Sequence, residues 1–270
     1  MLACRPMSLS QAIVLGIVQG LTEFLPVSSS AHLYVVPKLL GWQYHGLAFD
    51  VALHWGTLFA LLMAFGGEWW ALARHAFAAD AATRKAAGRT WLLIAAASVP
   101  GAVAGFLLKD VAETALRSLP LQAATLAGFG FLLWWVDRVA PVRQSQGTPS
   151  WGAGLAMGLA QALALVPGVS RSGVTITAGR AAGLSRVQAA RFSFLLATPI
   201  TFGAGVLELK HLRGSGIPAP VLLAGVASAA IVGVVAIRGL LRFLGRAGFA
   251  AFFVYRLALA LVIVLTLLFR

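Results

Sequence analysis

The chain has few charged residues and a single cysteine. Only 11% of its 270 residues are Asp, Glu, Lys or Arg, whereas soluble domains carry about 25%. Cys4 is the sole cysteine, which excludes an internal disulfide and a thiolate metal site. Hydrophobic residues make up 60% of the chain and the mean hydropathy is +0.88. These values exclude an ordinary soluble domain and predict an all-α polytopic membrane protein.

Acidic residues are also scarce, with 8 Asp and Glu against 21 Lys and Arg. The basic residues lie in short segments between apolar runs, so we interpret them as topology signals and lipid-headgroup contacts, not as a nucleic-acid surface. Twelve of them fall near 67–90, 138–150, 180–191 and 238–248, and seven fall on the opposite side. The larger group predicts the cytoplasmic side, with both termini outside.

Hydropathy predicts six membrane-spanning helices, each near the ~20 residues that a bilayer requires. They run roughly over 47–67, 91–108, 120–137, 191–209, 218–238 and 249–269. Two further apolar stretches, 8–40 and 151–186, are each interrupted by a polar segment. Such interruptions are typical of re-entrant helical hairpins, which a membrane tolerates where protein or water contacts the break.

The two interrupted stretches resemble each other. Residues 19–30 read QGLTEFLPVSSS and residues 161–172 read QALALVPGVSRS, so each has a glutamine, apolar residues, a proline and a serine cluster. Each stretch is followed by three predicted spans, which divides a single membrane domain into halves of about 1–140 and 150–270. An odd number of spans in each half predicts an inverted repeat whose broken helices meet near the midplane.

The second interruption places an arginine at membrane depth, in the sequence PGVSRSGVT of residues 167–175. A charge there costs several kcal/mol unless it has a partner. The Arg171 guanidinium can grip two phosphate oxygens at once, and the start of the following half-helix favours an anion. The hydroxyls of Ser170, Ser172 and Thr175 stand beside it. This pattern predicts a phosphate site.

The first interruption supplies a carboxylate, serines and a histidine. Gln19 and Glu23 are four residues apart and share one helical face. Glu23 stands near the C-terminal end of its half-helix, where a carboxylate is disfavoured, so it needs Arg171, a divalent cation or a shared proton. With the serines of 28–30 and His32, it has the composition of a hydrolytic site.

At this point the residues match a family. QGLTEFLPVSSSAH at 19–32 and PGVSRSGVT at 167–175 closely resemble the two signature motifs of the undecaprenyl-diphosphatase family, the bacitracin-resistance proteins of bacterial membranes. Segments 49–57 and 192–199 look like the family as well, so the resemblance covers essentially the whole chain. It implies hydrolysis of undecaprenyl diphosphate to undecaprenyl phosphate and inorganic phosphate, which recycles the lipid carrier of peptidoglycan synthesis and confers bacitracin resistance.

The resemblance further implies a multi-pass protein of the bacterial cytoplasmic membrane with a periplasmic site and a divalent cation, Mg²⁺ or Ca²⁺. By position, Gln19 and Glu23 correspond to the acidic motif, with Glu23 as a metal ligand, although Gln19 supplies no charge where the family also uses Glu. Ser29 and His32 correspond to residues implicated in catalysis. The phosphate-binding group contains Arg171 and four hydroxyl residues: Ser28, Ser170, Ser172 and Thr175.

Several alternatives stay open. The nucleophile is one of three groups: Ser29 with His32 as its base, His32 itself, or water. His54 and Arg256 are polar at membrane depth and either pair with neighbours or serve the site. The expected partners are a polyprenyl diphosphate and membrane lipids, and the oligomeric state, a homodimer included, is not determined. Since inverted repeats with broken helices also build transporters, a transporter or flippase of a phosphorylated lipid or anion is the alternative function.

Overall fold

The computed structural model describes residues 7–43, 47–113, 116, 118–213 and 216–269. Cys4, Arg5, Arg117 and Arg270 lie outside the described residues, as do the side chains of Lys109, Lys210 and Arg213. The described backbone forms ten α-helices, one 3₁₀ turn and no strand. The helices are α1 (Leu9–Thr22), α2 (Ser29–Leu39), α3 (Leu47–His75), α4 (Ala81–Glu113), α5 (Leu119–Val139), α6 (Trp151–Ala162), α7 (Arg171–Ala181), α8 (Arg186–Arg213), α9 (Ala219–Leu244) and α10 (Ala250–Leu268).

Among the described residues, six helices are long and apolar enough to cross a membrane, which confirms the predicted number and order of spans. Their apolar segments are Ala48–His75, Ala81–Leu108, Leu119–Val139, Arg186–Leu209, Ala219–Leu244 and Ala250–Leu268. The largest departure is α4, which begins ten residues before the predicted 91 because Asp80 starts it. The Asp80 carboxylate accepts a hydrogen bond from the Thr83 N–H at 2.7 Å, and this satisfies one free donor of the first turn.

The two interrupted stretches each contain two short helices. A first break of residues 23–28 separates α1 from α2, and a second break of residues 166–170 follows the 3₁₀ turn Leu163–Leu165 and precedes α7. The first break begins three residues earlier than the predicted Pro26. The order of elements is otherwise as predicted, since three long helices follow each broken pair.

Glycines bring the broken helices into close contact with long ones. α1 packs against α9, and α6 packs against α4. A Cβ on Gly20 of α1 would lie 2.7 Å from the Ala229 carbonyl oxygen, and one on Gly158 of α6 would lie 2.3 Å from the Ala97 carbonyl oxygen. These distances leave no room for a side chain. The absence of a side chain on these glycines lets the two backbones approach closely, as small residues do between membrane helices.

We expect Gly158→Ala to lower the free energy of unfolding by about 1–3 kcal/mol, because the new methyl group meets fixed backbone. Gly152→Ala in the same helix is the control: nothing lies within 4 Å of its Cβ position, and the exchange should be neutral or gain up to about 1 kcal/mol. Thermal unfolding of both variants in one detergent measures the difference. Equal stabilities would contradict the close contact of α6 with α4.

A cluster of charged side chains fixes the C-terminal end of α7, the end away from Arg171. The Asp137 carboxylate of α5 accepts hydrogen bonds from Arg180 Nε at 2.9 Å and Arg186 Nε at 2.8 Å. Arg180 is buried and also bonds the carbonyl oxygens of Asp137 and Ala140. These contacts fix α5, α7 and the start of α8 relative to one another, so two of the arginines counted as topology signals also have a structural partner.

Candidate active site

Two serines begin helices in an uncommon backbone conformation. Ser28 precedes α2 and Ser170 precedes α7, and both have φ of +73°. Within the described part of the chain, they are the only non-glycine residues with positive φ. Strain of this kind persists where the surroundings fix it, and it clusters at functional sites.

Glu23 joins the two breaks. Its Oε1 accepts a hydrogen bond from Arg171 Nη2, which makes a largely buried ion pair between the first break and α7. Its Oε2 accepts hydrogen bonds from Gln19 Nε2 at 3.1 Å and from Ser29 Oγ at 2.6 Å. Of the three partners that the sequence allowed for Glu23, the structure places Arg171 beside it.

The ion pair with Glu23 engages only one of the two terminal nitrogens of Arg171. Its Nη2 contacts Glu23, but within the described residues its buried Nη1 has no hydrogen-bond partner. A buried donor without a partner is costly. Because a guanidinium presents its donors in a fixed fork, one nitrogen can hold the carboxylate while another binds an oxyanion.

A cavity of about 480 Å³ opens beside this pair. Its polar wall contains the pair, hydroxyls of both breaks and of α8, and three further side chains: Glu23, Ser28, Ser29, Ser30, His54, Gln161, Ser170, Arg171, Thr201 and Glu208. The rest of the wall is largely small or apolar and comes mainly from α4 and α8, with Gly101, Gly105, Phe106, Ala204 and Leu207 among its residues. The cavity therefore suits a molecule with an anionic end and an apolar end.

The histidine at this cavity is His54 of α3. Its side chain is 37% exposed, and its Nε2 lies 3.6 Å from Glu23 Oε2. Its Nδ1 lies 2.7 Å from the Asp50 carbonyl oxygen, which requires a proton on Nδ1. The sequence alone leaves the role of His54 open, since a single polar residue in an apolar helix does not show which way that helix is turned.

His32 occupies a different environment. Its Nδ1 lies 2.7 Å from the Ser28 carbonyl oxygen, and its Nε2 lies 2.7 Å from the Tyr255 hydroxyl, on which its ring also stacks. The side chain is 4% exposed and does not line the cavity. The structure therefore does not bring His32 into the group that contains Ser29, Glu23 and Arg171.

The two serines that precede α2 and α7 differ in the hydrogen bonds that their hydroxyls make. The Ser170 hydroxyl accepts a hydrogen bond from the Gly173 N–H at 3.1 Å and caps α7. Ser28 makes no such cap, and its hydroxyl contacts that of Ser30 at 3.2 Å. Both Ser28 and Ser170 are buried residues of the cavity wall.

Ser172 and Thr175 form hydrogen bonds inside the protein and do not line the cavity. Ser172 Oγ donates to the Leu25 carbonyl oxygen at 3.1 Å, which ties α7 to the first break. Thr175 Oγ1 donates to the Arg171 carbonyl oxygen at 2.8 Å and contacts Ser193 Oγ at 2.7 Å. Both side chains are buried, so their geometry indicates support for the arginine.

Arg256 of α10 contacts both breaks. Its side chain is fully buried, with 0% exposed, and it donates to five backbone carbonyl groups. These belong to Pro26 in the first break, to Gly168 and Val169 in the second, and to Thr125 and Leu126 of α5. The sequence showed a lone arginine in an apolar helix, but not that its partners would be carbonyl groups of the breaks.

The residues present do not complete a metal site by themselves. Among the described residues, no group of three or more His, Cys, Asp and Glu is placed to hold a metal ion. Magnesium is commonly bound by one or two carboxylates together with substrate phosphates and water. Glu23 is a carboxylate at the cavity wall, and its two oxygens accept hydrogen bonds from Arg171, Gln19 and Ser29.

Fold and site together define a polytopic helical membrane protein in which a buried cluster of arginine, glutamate and serine side chains lies between two helix breaks. The chain belongs to the family described as bacitracin resistance protein BacA, whose profile matches residues 12–262. It is similar to the undecaprenyl-diphosphatase of Pelotomaculum thermopropionicum, with 48% identity over 258 residues, covering 96% of each protein. The undecaprenyl-diphosphatase of Gemmatimonas aurantiaca is 48% identical over 268 residues, covering 98% of this chain and 100% of that protein.

Proposed function

We propose that this protein hydrolyses undecaprenyl diphosphate to undecaprenyl phosphate and inorganic phosphate, and so recycles the lipid carrier of peptidoglycan synthesis. The observation that carries the proposal is the contact of Arg171 and Ser29 with opposite oxygens of Glu23 at the wall of one cavity. Full-length similarity to proteins named undecaprenyl-diphosphatase supports it. Bacitracin resistance is the cellular role that this activity would give.

The proposed architecture is an inverted repeat of about 1–140 and 150–270, with α1–α2 and α6–α7 as re-entrant hairpins. Three observations support it: both breaks end at a serine with φ of +73°, α1 packs on α9 as α6 packs on α4, and three long helices follow each pair. We place the protein in the bacterial cytoplasmic membrane. The basic loops would face the cytoplasm and the cavity the periplasm.

In the proposed reaction, the terminal phosphate lies against Arg171 and the N-terminus of α7. Ser29 Oγ attacks the terminal phosphorus, its proton passes to the carboxylate of Glu23 at 2.6 Å, and the bond from phosphorus to the bridging oxygen breaks. Polyprenyl phosphate leaves. Water then attacks the phosphoserine, the proton returns from Glu23 to Ser29, and inorganic phosphate is released.

The remaining residues of the cavity bind and orient the substrate. Arg171 and the capped start of α7 hold phosphate oxygens, and His54 faces the Glu23 carboxylate from α3. The apolar wall of α4 and α8 would take the first isoprene units. A bound Mg²⁺ or Ca²⁺ would neutralise phosphate charge; with Glu23 as its protein ligand, the carboxylate would not also accept the Ser29 proton, so that arrangement goes with the versions in which water or His32 is the nucleophile. His32 or water as nucleophile are the alternative versions, and His32 would first have to release Tyr255.

Phosphate release from a polyprenyl diphosphate, by purified protein in detergent with Mg²⁺ or Ca²⁺, tests the proposal. We expect Ser29→Ala to lower the rate at least about 100-fold, as loss of a nucleophile does. Ser30→Ala is the control, because Ser30 lines the same cavity without a hydrogen bond to Glu23. Phosphate trapped on Ser29 would support the covalent version. Absence of phosphate release from wild type would refute the function.

A second cavity favours keeping the transporter alternative. It has a volume of about 640 Å³ and lies between α3, α4 and α8, with Glu68, Gln188 and Arg191 in its wall. Transporters with inverted repeats move one repeat against the other around a fixed site, and the second cavity leaves space for such a movement between α3, α4 and α8. Proteoliposomes distinguish the two functions: movement of a phosphorylated lipid without phosphate release would favour transport.

A further inference from the structure

We infer that Gln161 is a ligand for the diphosphate group of the substrate, an assignment that rests on the proposed function for the identity of the ligand. Gln161 is the last glutamine before the second break and stands on α6. It lines the same cavity as Arg171 and Ser29. The resemblance to the family gave it no role.

The amide group of Gln161 is buried without a partner. The residue is only 4% exposed, and neither Nε2 nor Oε1 forms a hydrogen bond within the described part of the chain. A Cβ on Gly101 would lie 3.0 Å from Gln161 Nε2, so the bare backbone of α4 provides the space that the amide occupies. Buried polar groups are nearly always hydrogen-bonded, so an unpaired amide in a cavity wall gains a partner when a ligand with polar atoms binds beside it.

The corresponding glutamine of the first hairpin shows why this amide is unpaired. Gln19 occupies the same place before the first break and donates to Glu23, four residues later, at 3.1 Å. The residue four positions after Gln161 is Leu165, which has no acceptor side chain. One glutamine thus holds the carboxylate, and the other has an unpaired, buried amide in a residue of the cavity wall.

A phosphate oxygen fits this free amide. Gln161 Nε2 and Arg171 Nη1 are two buried donors without partners in the described residues, and both side chains line one cavity. A diphosphate presents several acceptor oxygens, and a protonated phosphate oxygen would also donate to Gln161 Oε1. Lack of a partner is not sufficient by itself, since the Gln122 amide is also unpaired. Gln122 does not line the cavity.

Gln122 therefore provides the matched control. The test compares Gln161→Met, which keeps the volume but removes the amide, with Gln161→Glu, which adds a negative charge, and with Gln122→Met. Steady-state phosphate release gives kcat and KM for a polyprenyl diphosphate. Inhibition by a polyprenyl methylenediphosphonate, which cannot be hydrolysed, measures binding without turnover, and thermal unfolding shows that each variant is folded.

We expect Gln161→Met to raise KM and the inhibition constant at least ~10-fold while kcat changes less than ~3-fold, because an interaction common to ground and transition states is lost. Gln161→Glu should raise both further, and Gln122→Met should stay within ~2-fold of wild type. Unchanged diphosphonate binding in Gln161→Met would overturn the inference, as would equal losses in both methionine variants. Amide-dependent diphosphonate binding without phosphate release would support Gln161 and refute only the hydrolase.

Discussion

Replacing Glu23 with Gln should lower phosphate release at least about 1,000-fold, because the carboxylate that receives the Ser29 proton is lost. Ser29 Oγ lies 2.6 Å from Glu23 Oε2, and Arg171 contacts the other oxygen. The same exchange leaves a buried guanidinium without its counter-charge, which costs about 3–5 kcal/mol of stability. Substrate phosphate can replace that counter-charge, so the diphosphonate probe should stabilise Glu23→Gln more than it stabilises wild type.

Glu68→Gln is the matched control for this experiment. Glu68 also pairs with an arginine, Arg191, but both side chains are partly exposed, and exposed pairs contribute about 0–1 kcal/mol. We expect Glu68→Gln to keep phosphate release within about 3-fold of wild type. If Glu23→Gln retains more than one-tenth of wild-type turnover, roughly a hundredfold above the expectation, Glu23 is not the proton acceptor.

Hydropathy predicted the long helices well because their apolar length is a local property of the sequence. The breaks were also visible, since proline and serine clusters interrupt both stretches at 26–30 and 167–172. The exact start of the first break could not be predicted, because Glu23 has helical backbone angles and its N–H still bonds the Gln19 carbonyl oxygen. The Leu25 N–H likewise bonds the Leu21 carbonyl oxygen at 3.3 Å, so the helix loosens over several residues before Pro26 instead of ending at one.

The two histidines show what a local pattern does not contain. Both His32 and His54 fix Nδ1 on the carbonyl group four residues earlier, so local geometry is the same. What differs is the group that faces Nε2: the Tyr255 hydroxyl for His32 and the Glu23 carboxylate for His54. That difference is set by how α2, α3 and α10 pack, which no motif in a single sequence specifies.

Replacing Arg256 with Met should destabilise the fold by at least about 4 kcal/mol, an effect reserved for the loss of buried polar networks. Its guanidinium donates to five carbonyl groups, three of them in the two breaks. Methionine fills much of the space but leaves these acceptors unsatisfied in a buried region. Thermal unfolding in detergent measures the loss.

Arg256→Lys separates the structural role of this residue from its effect on the site. Lysine keeps the charge but has three donors for five carbonyl groups, so we expect an intermediate stability and a looser spacing between the breaks. The rate of phosphate release should then fall even where the protein stays folded, because Arg171 and Glu23 meet across that spacing.

Arg238→Met is the control. Arg238 is at an exposed position of α9, so its replacement should change the free energy of unfolding by less than about 0.5 kcal/mol. An Arg256→Met protein as stable as the Arg238→Met control would show that the breaks keep their geometry without the buried guanidinium.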